Sequence, residues 1–417
     1  MQALYTLFIQ MYGFAVSIAA HFNPKAKLWI SGRKNWKIKM KQAISSDDKI
    51  IWVHCSSLGE FEQGRPVMEK IKKEFPNHKL ALSFFSPSGY EIRKDYQGAD
   101  YIFYLPLDTP KNAKQLIKIL HPEVLILVKY EYWYNLLKRL QKKDIPVLVI
   151  SAVIKENNLF FRPFGSWFRK IIAGIEHFFV QDNDSKNLLE SIGIEKVTVS
   201  GDTRFDRVKE IREANARVEF IEKFKGNSKL IVAGSTWPDD EEILVKFINK
   251  KLPNDWKLIF APHNIKEKDI LSLSQVIQKP TAIYTKSDQN QIENSQILIL
   301  DTIGMLTKIY AYSDVSYVGG GFTKTGVHNT LEPAVFGVPI IFGPNYENYF
   351  EAVDLIQNQG AQRFKDQYDF DEKMLALIES AAERKSRGRA AADYILQKPN
   401  STITIFNFLK VILSKND

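Results

Sequence analysis

The chain has 417 residues, 45% hydrophobic and 25% charged, a globular composition with room for two α/β domains rather than one core. Its lone cysteine, Cys55, excludes an intramolecular disulfide and a cysteine-rich metal site. The formal charge of +9 suits an anionic surface or substrate, but the lysines are scattered along helix faces without interleaved aromatics, so no nucleic-acid partner is expected.

Residues 1–22 carry no charged side chain, with His21 counted neutral, and could cross or embed in a bilayer as one helix. Lys25, Lys27, Arg33, Lys34, Lys37, Lys39 and Lys41 follow directly. A secretory signal carries its charge first and a small-residue cleavage site afterwards, and neither is present. The segment is therefore expected to be a membrane-associated helix whose basic flank stays on the cytoplasmic side. Gln10, Gly13 and Ser17 interrupt it and leave open a helix lying in the interface, and a buried core helix is the competing reading.

After residue 48, short apolar runs alternate with longer amphipathic stretches. Runs at 50–55, 80–85, 124–128, 147–150, 178–180 and 197–199 read as parallel strands buried on both faces. Helical spacing over 64–75 and 111–120 supplies crossovers between them. Residues 206–227 are highly charged and read as a helix leading into a linker. A second series follows at 230–233, 258–261, 297–300, 315–318 and 338–342. The pattern predicts two doubly wound, Rossmann-like domains facing a central cleft. The expected divisions are an anchor helix over 1–22, domains over 23–207 and 208–397, and a terminal helix over 398–417 whose docking the sequence leaves open.

Ligands of open α/β sheets sit beyond the carboxyl ends of the strands, so the loops there are the places to search. The first strand runs into Ser56-Ser57-Leu58-Gly59-Glu60, where small residues expose amides. Glu60 at the helix start serves either the helix dipole or as a general base. Ser86 and Ser88 flank another small-residue turn, a cap by itself. Glu131 stands among Tyr130, Tyr132, Trp133 and Tyr134, a group suited to a sugar or to aromatic packing. Arg204 could meet an anion or pair with a nearby acid. In the second series the strand ends bring Ser235 and Thr236, Pro262 and His263, then the turn Ile303-Gly304-Met305. The strongest signal is Gly319-Gly320-Gly321, a loop containing Lys324, and a helix expected to carry His328, Asn329, Thr330, Leu331 and Glu332 in its first turns. Glycines admit a phosphate close to the backbone, and a carboxylate one turn along could hold a ribose. The stretch lacks the GK[ST] and GxGxxG endings, and His328 with Glu332 has no third ligand, so a nucleotide-sugar site is preferred to a metal.

Taken in order, these loops resemble the 3-deoxy-D-manno-octulosonic acid (Kdo) transferases of lipid A biosynthesis, glycosyltransferase family 30. The matching stretches are Ser57–Glu60, Ser86–Gly89, Glu131–Asn135, 201–206, Gly234–Thr236, Ala261-Pro262, 301–305 and 319–332. The resemblance implies a GT-B fold and inverting transfer of Kdo from CMP-Kdo to lipid IVA at the cytoplasmic face of the inner membrane, without a cofactor. It implies Glu60 as proton acceptor and Glu131 and Arg204 as transition-state stabilisers, with Ser57, Gly59, Ser86 and Ser88 nearby on the acceptor side. It implies CMP contacts from Pro262, His263, Ile303, Gly304, Met305 and Asn329 through Glu332, joined by Ser235, Thr236, Gly320, Gly321, Lys324 and His328. The chain departs from the family at His263, where arginine is common, at Arg204, commonly lysine, and at Lys129, commonly an acid. Gly321, Val327 and Thr330 replace a usual Ser, Gly and Pro. His263 would carry only part of a charge near neutral pH. The competing activity is that of another GT-B enzyme using UDP-GlcNAc, as transferase or 2-epimerase; a non-catalytic nucleotide sensor would have no need of Glu60.

Overall fold

The computed structural model describes residues 1–214 and 217–414, so the end of the expected terminal helix, 415–417, lies outside the described residues. Two compact units are present: Met1–Asp206 together with Pro399–Asp417, and Arg207–Lys398. Each is built on one seven-stranded sheet in which all pairings are parallel.

Unit 1 contains β1 (Ile50–Cys55), β2 (Lys79–Phe84), β3 (Tyr101–Tyr104), β4 (Val124–Val128), β5 (Val147–Ala152), β6 (His177–Val180) and β7 (Val197–Val199), in the order β3-β2-β1-β4-β5-β6-β7. The central strands are buried along their whole length, which is why they read as unbroken apolar runs. Unit 2 contains β8 (Lys229–Thr236), β9 (Trp256–Pro262), β10 (Thr281–Ile283), β11 (Ile297–Ile299), β12 (Val315–Val318), β13 (Ile340–Phe342) and β14 (Ala361–Arg363), in the order β10-β11-β9-β8-β12-β13-β14. The sequence pattern did not announce β3, β10 and β14. Strands of three or four residues at or near a sheet edge are too short for a periodic signal. The charged stretch expected as one helix before a linker forms two, Thr203–Ala214 and Glu219–Lys225.

The chain order reverses between β1 and β4 in unit 1, and between β8 and β12 in unit 2. At such a reversal the crossovers leave on opposite faces and open a crevice at the strand ends. Both candidate sites grow from these reversals.

Three helices precede β1: α1 (Gln2–Ala19), α2 (Pro24–Gly32) and α3 (Trp36–Ala43). One stripe of α1 faces unit 1, with Ile9 and Gly13 buried and Gly13 so close to Leu107 that a Cβ there would lie 2.5 Å from a Leu107 methyl. Tyr5 Oη donates to Asp108 at 2.9 Å, and Gln2 Nε2 donates to Asn135 at 2.9 Å. The opposite stripe, with Leu4, Leu7, Phe8, Met11, Phe14 and Ile18, is exposed. By length and hydropathy α1 passes as a candidate membrane span.

The helix Ser401–Leu413 returns to unit 1 and packs Ile405, Phe406 and Leu409 into the core beside β1 and β4. Buried apolar side chains of this size contribute about 1.5–3 kcal/mol each. Thr402 clamps the junction, its amide and hydroxyl both donating to Asp206, at 2.6 and 2.7 Å.

Candidate active site

In unit 1 the helix α4 (Leu58–Glu74) starts directly after β1, capped by Ser57, whose hydroxyl accepts from the Glu60 amide at 3.5 Å. The Glu60 carboxylate turns back and accepts from the Ser56 amide. Serine at the cap with glutamate three residues on is a capping-box pattern, so the helix-dipole reading of Glu60 holds locally. Capping does not account for its surroundings. The side chain is buried, with Glu60 only 5% exposed, and Glu131 stands close by after β4. Burial, then the Glu131 charge, pushes the Glu60 carboxyl up to about 8, against the Ser56 and Ser57 amides and Lys129, which pull it down. The amides that face this carboxylate are those of Ser56 and Ser57.

Glu131 is presented by a tight segment in which Lys129 holds a left-handed backbone, φ 67°. A side chain in that region is strained, and such residues gather where a sharp re-aiming of the chain is needed. The aromatic neighbours divide. Trp133 packs on Phe85 with ring centroids 4.6 Å apart, Tyr134 on Trp167 at 4.8 Å and Tyr132 on Phe160 at 5.9 Å. These three belong to the core, and only Tyr130 is exposed.

The second small-residue loop lies against the first. Gly89 allows it, because a Cβ there would come 3.1 Å from the Ser57 carbonyl carbon. Ser86 caps the short helix α5 (Pro87–Arg93) by accepting from the Ser88 amide, and the Ser86 amide donates to Ser56 O at 2.8 Å. Arg204 pairs with Asp202 through Nε at 3.0 Å, and Asp202 also accepts from Gln63 at 2.9 Å, one turn along α4 from Glu60. His54, a residue the motif reading passed over, sits on β1 with its Nε2 3.9 Å from Glu131 Oε2. A histidine inside an otherwise apolar strand was the available signal.

In unit 2, β8 ends in Ser235, left-handed at φ 55°, and Thr236, whose hydroxyl donates to Glu241 at 3.0 Å. Gly319, just beyond β12, lies flat against this turn: a Cβ there would sit 2.3 Å from Ser235 O. Its amide donates to Gly234 O at 2.9 Å, and the Gly320 amide donates to buried Asp240 at 2.9 Å. Asp240 also accepts from Tyr317 Oη at 2.6 Å and the Trp237 amide at 2.9 Å. Gly321 abuts Gly343, where a Cβ would meet the Gly343 Cα at 2.6 Å. The three glycines thus serve backbone-to-backbone packing, and the Gly319 and Gly320 amides, expected to face a phosphate, are engaged within the unit.

The helix after this loop is Leu331–Val335, shorter and later than the sequence suggests, and His328 and Asn329 precede it in irregular chain. Proline at 333 and glycine at 337 confine it to about one turn. Trp237, His263 and His328 stack, with centroids 4.5 Å apart from Trp237 to His263 and 4.7 Å from His263 to His328. Trp237 Nε1 donates to His328 Nε2 at 2.9 Å, which leaves the His328 proton on Nδ1. Burial and the neighbouring His263 push His328 down to about 4, and burial lowers His263. Both rings are neutral near pH 7, so His263 brings an aromatic face rather than the charge of an arginine. Glu332 accepts from Asn329 Nδ2 at 3.0 Å and Thr307 Oγ1 at 2.9 Å. Ile303 and Gly304 are exposed with Met305 half-buried behind them, Gly304 taking φ 96°, and Pro262 closes β9. Lys324 is exposed on the loop after Gly321. Among the described residues no group of three or more His, Cys, Asp or Glu side chains is arranged to hold a metal ion.

Residues 33–207 match the family model of 3-deoxy-D-manno-octulosonic-acid transferases (Kdo transferases). Over most of its length the chain is similar to proteins of that name. The 3-deoxy-D-manno-octulosonic acid transferase of Haemophilus influenzae is 25% identical over 384 residues, 88% of this chain and 88% of that protein. The one from Aquifex aeolicus is 26% identical over 359 residues, 83% of this chain and 92% of that protein. Among solved structures, the UDP-GlcNAc 2-epimerase of Neisseria meningitidis bound to UDP-GlcNAc gives a TM-score of 0.57 at 16% identity, over 87% of this chain and 100% of that one. At that identity the likeness speaks for the fold, which is of the GT-B type.

Proposed function

We propose that this chain is a Kdo transferase, which moves Kdo from CMP-Kdo to a hydroxyl of lipid IVA with Glu60 as general base. The observation that carries the assignment of the base is the buried Glu60 beside Glu131 at the β1/β4 reversal, with its carboxyl pushed up to about 8. A base of that strength is matched to a hydroxyl proton far better than an ordinary carboxylate. Glu60 takes the proton of the acceptor's primary hydroxyl as the oxygen attacks the anomeric carbon. The bond from that carbon to the CMP phosphate breaks, its electron pair leaves on the phosphate oxygen, and the configuration inverts. Glu131 faces the positive charge that develops on the sugar, and Arg204, held by Asp202, offers its guanidinium to the anion.

Unit 1 is read as the acceptor side, with Ser57, Gly59, Ser86 and Ser88 about the hydroxyl. Unit 2 is read as the donor side. There the Gly321 amide, Ser235, Thr236 and Lys324 attend the phosphate, and the amides of Gly319 and Gly320 keep the loop in shape. The faces of His263 and His328 with Pro262 suit a pyrimidine, and the Ile303–Met305 turn, Thr330 and Leu331 line it. Glu332 and Asn329 exchange their mutual hydrogen bond for the ribose hydroxyls.

The test is incubation with CMP-Kdo and lipid IVA, with mass spectrometry of the lipid, for wild type and Glu60→Gln. Glutamine preserves the capping box and removes the base, so kcat falls about 10²–10⁴-fold in a folded protein. Wild-type turnover in the variant would end the assignment.

The membrane reading is of a helix lying on the bilayer at its cytoplasmic face. The bonds of Gln2 and Tyr5 to unit 1 hold one stripe of α1, and its apolar stripe is exposed, with the lysines of α2 and α3 following in the chain. Phe8 and Phe14 are 66% and 69% exposed, so Phe8→Asp with Phe14→Asp leaves the packed stripe alone. Flotation with anionic vesicles should drop at least about tenfold, with turnover on detergent-dispersed acceptor preserved. Unchanged flotation would refute this anchoring.

A further inference from the structure

We propose that His54 is a positioning residue that donates its Nε2–H to Glu131 and thereby holds the Glu131 carboxylate in place beside Glu60. The inference rests on the functional reading above and adds to it a residue on the β-sheet floor.

The tautomer follows from three side chains. His54 on β1 and Ser83 on β2 are registered opposite one another, and His54 Nδ1 lies 2.8 Å from Ser83 Oγ. Trp52 Nε1 also lies 2.8 Å from Ser83 Oγ. An indole N–H can only donate, so it occupies a lone pair of the hydroxyl. The Ser83 proton is then free for His54 Nδ1, the other side chain bonded to that hydroxyl among the described residues. A neutral imidazole that accepts at Nδ1 carries its hydrogen on Nε2.

That Nε2 has no hydrogen-bond partner among the described residues, and His54 is 0% exposed. A buried N–H left without an acceptor is unfavourable, and a strand core would be better served there by an aliphatic residue. Glu131 Oε2 lies 3.9 Å from it, just beyond the length of a hydrogen bond. Contacts of this kind tighten when substrate is bound. With the N–H on Glu131, the negative charge of the pair stays there, opposite the developing positive charge on the sugar. Without it, the Glu131 carboxylate is no longer held in that place.

The experiment compares full-length His54→Leu, His54→Gln and His54→Asn with wild type. The glutamine amide nitrogen reaches where Nε2 stood, and the asparagine amide only where Nδ1 stood. We expect His54→Leu and His54→Asn to lower kcat about 10–100-fold with the KM for CMP-Kdo within about twofold, and His54→Gln to recover most of the loss. Equal loss in all three, or wild-type kcat in the leucine variant, would overturn the proposal. A second readout is independent of turnover. In ¹⁵N-histidine spectra His54 should show the neutral Nε2-protonated form, with an Nε2 signal that moves in Glu131→Gln and stays in Glu332→Gln. An Nδ1-protonated ring, or a signal indifferent to Glu131, would overturn it whatever the activity. Failure of the functional reading would instead show as wild-type protein that transfers no Kdo.

Discussion

The chain-order reversals of the two units occupy the same topological position and carry opposite chemistry. In unit 1 the crevice holds two carboxylates with their neighbours arranged so that one is strongly basic. In unit 2 it holds neutral rings and glycines, and its buried acid, Asp240, spends its lone pairs on the Gly320 and Trp237 amides and on Tyr317. One fold thus places a buried, raised carboxyl at one crevice and stacked neutral rings with close-packed glycines at the other. The difference lies in which side chains follow the strands, because the sheets themselves are nearly alike.

Removing the second carboxylate tests the reactive crevice most severely. Glu131→Gln should lower kcat about 10²-fold or more, since the charge proposed to face the sugar is lost. It should also shift the acidic limb of kcat/KM from about 8 to lower pH, because Glu131 is one of the two causes that raise Glu60. A limb that stays in place would separate the two groups.

The crevice of unit 2 should respond in stability instead. Gly319→Ala puts a methyl 2.3 Å from Ser235 O, backbone that cannot step aside, and should destabilise unit 2 by about 1–3 kcal/mol or more. Gly59→Ala in unit 1 meets nothing within 4 Å and sits in the first turn of α4, so it should leave stability unchanged or improve it by about 0.4–1 kcal/mol. Denaturant midpoints of the two variants measure this, and equal midpoints would erase the contrast.

The two crevices should also show opposite pH dependences of stability. Folding favours protonated Glu60, so its contribution is full below the ordinary 4.5 and is lost as pH rises through about 8. Folding favours neutral His328, so its contribution is full above 6.5 and is lost as pH falls through about 4. Relative to wild type, Glu60→Gln should gain about 1–3 kcal/mol between pH 5 and pH 8.5. His328→Asn should gain about 1 kcal/mol between pH 7 and pH 5, a smaller figure because that ring is partly solvated. Urea titrations at these pH values decide both, and gains of the same sign along the pH scale would contradict the assigned directions.

Much of the molecule was legible in the amino-acid order. Runs such as 124–128 are apolar throughout because both faces of a parallel strand are covered, so strand, sheet type and two-unit fold followed from pattern alone. Glu60 was visible as an acid at the start of a helix, and the glycines at 319–321 as a place where backbones come close. Other features left no linear trace. Tyr132, Trp133 and Tyr134 look like a sugar platform in sequence, yet their rings belong to the core, since which rings stay outside depends on distant partners such as Phe85 and Trp167.

What the order of residues determined by itself was local: strand periods, turn glycines, the uncharged run over 1–22 and the acid at the helix start after the first strand. What tertiary structure decided was every property that belongs to a pair of residues far apart in the chain. Glu60 becomes basic because its side chain is buried and Glu131, 71 positions later, is folded close to it. The Gly320 amide is engaged because Asp240 reaches it from another helix, and the last helix belongs to the first unit because Asp206 and the β1 face receive it. Burial and proximity set the energy of a charge, and neither is a property of a residue taken alone.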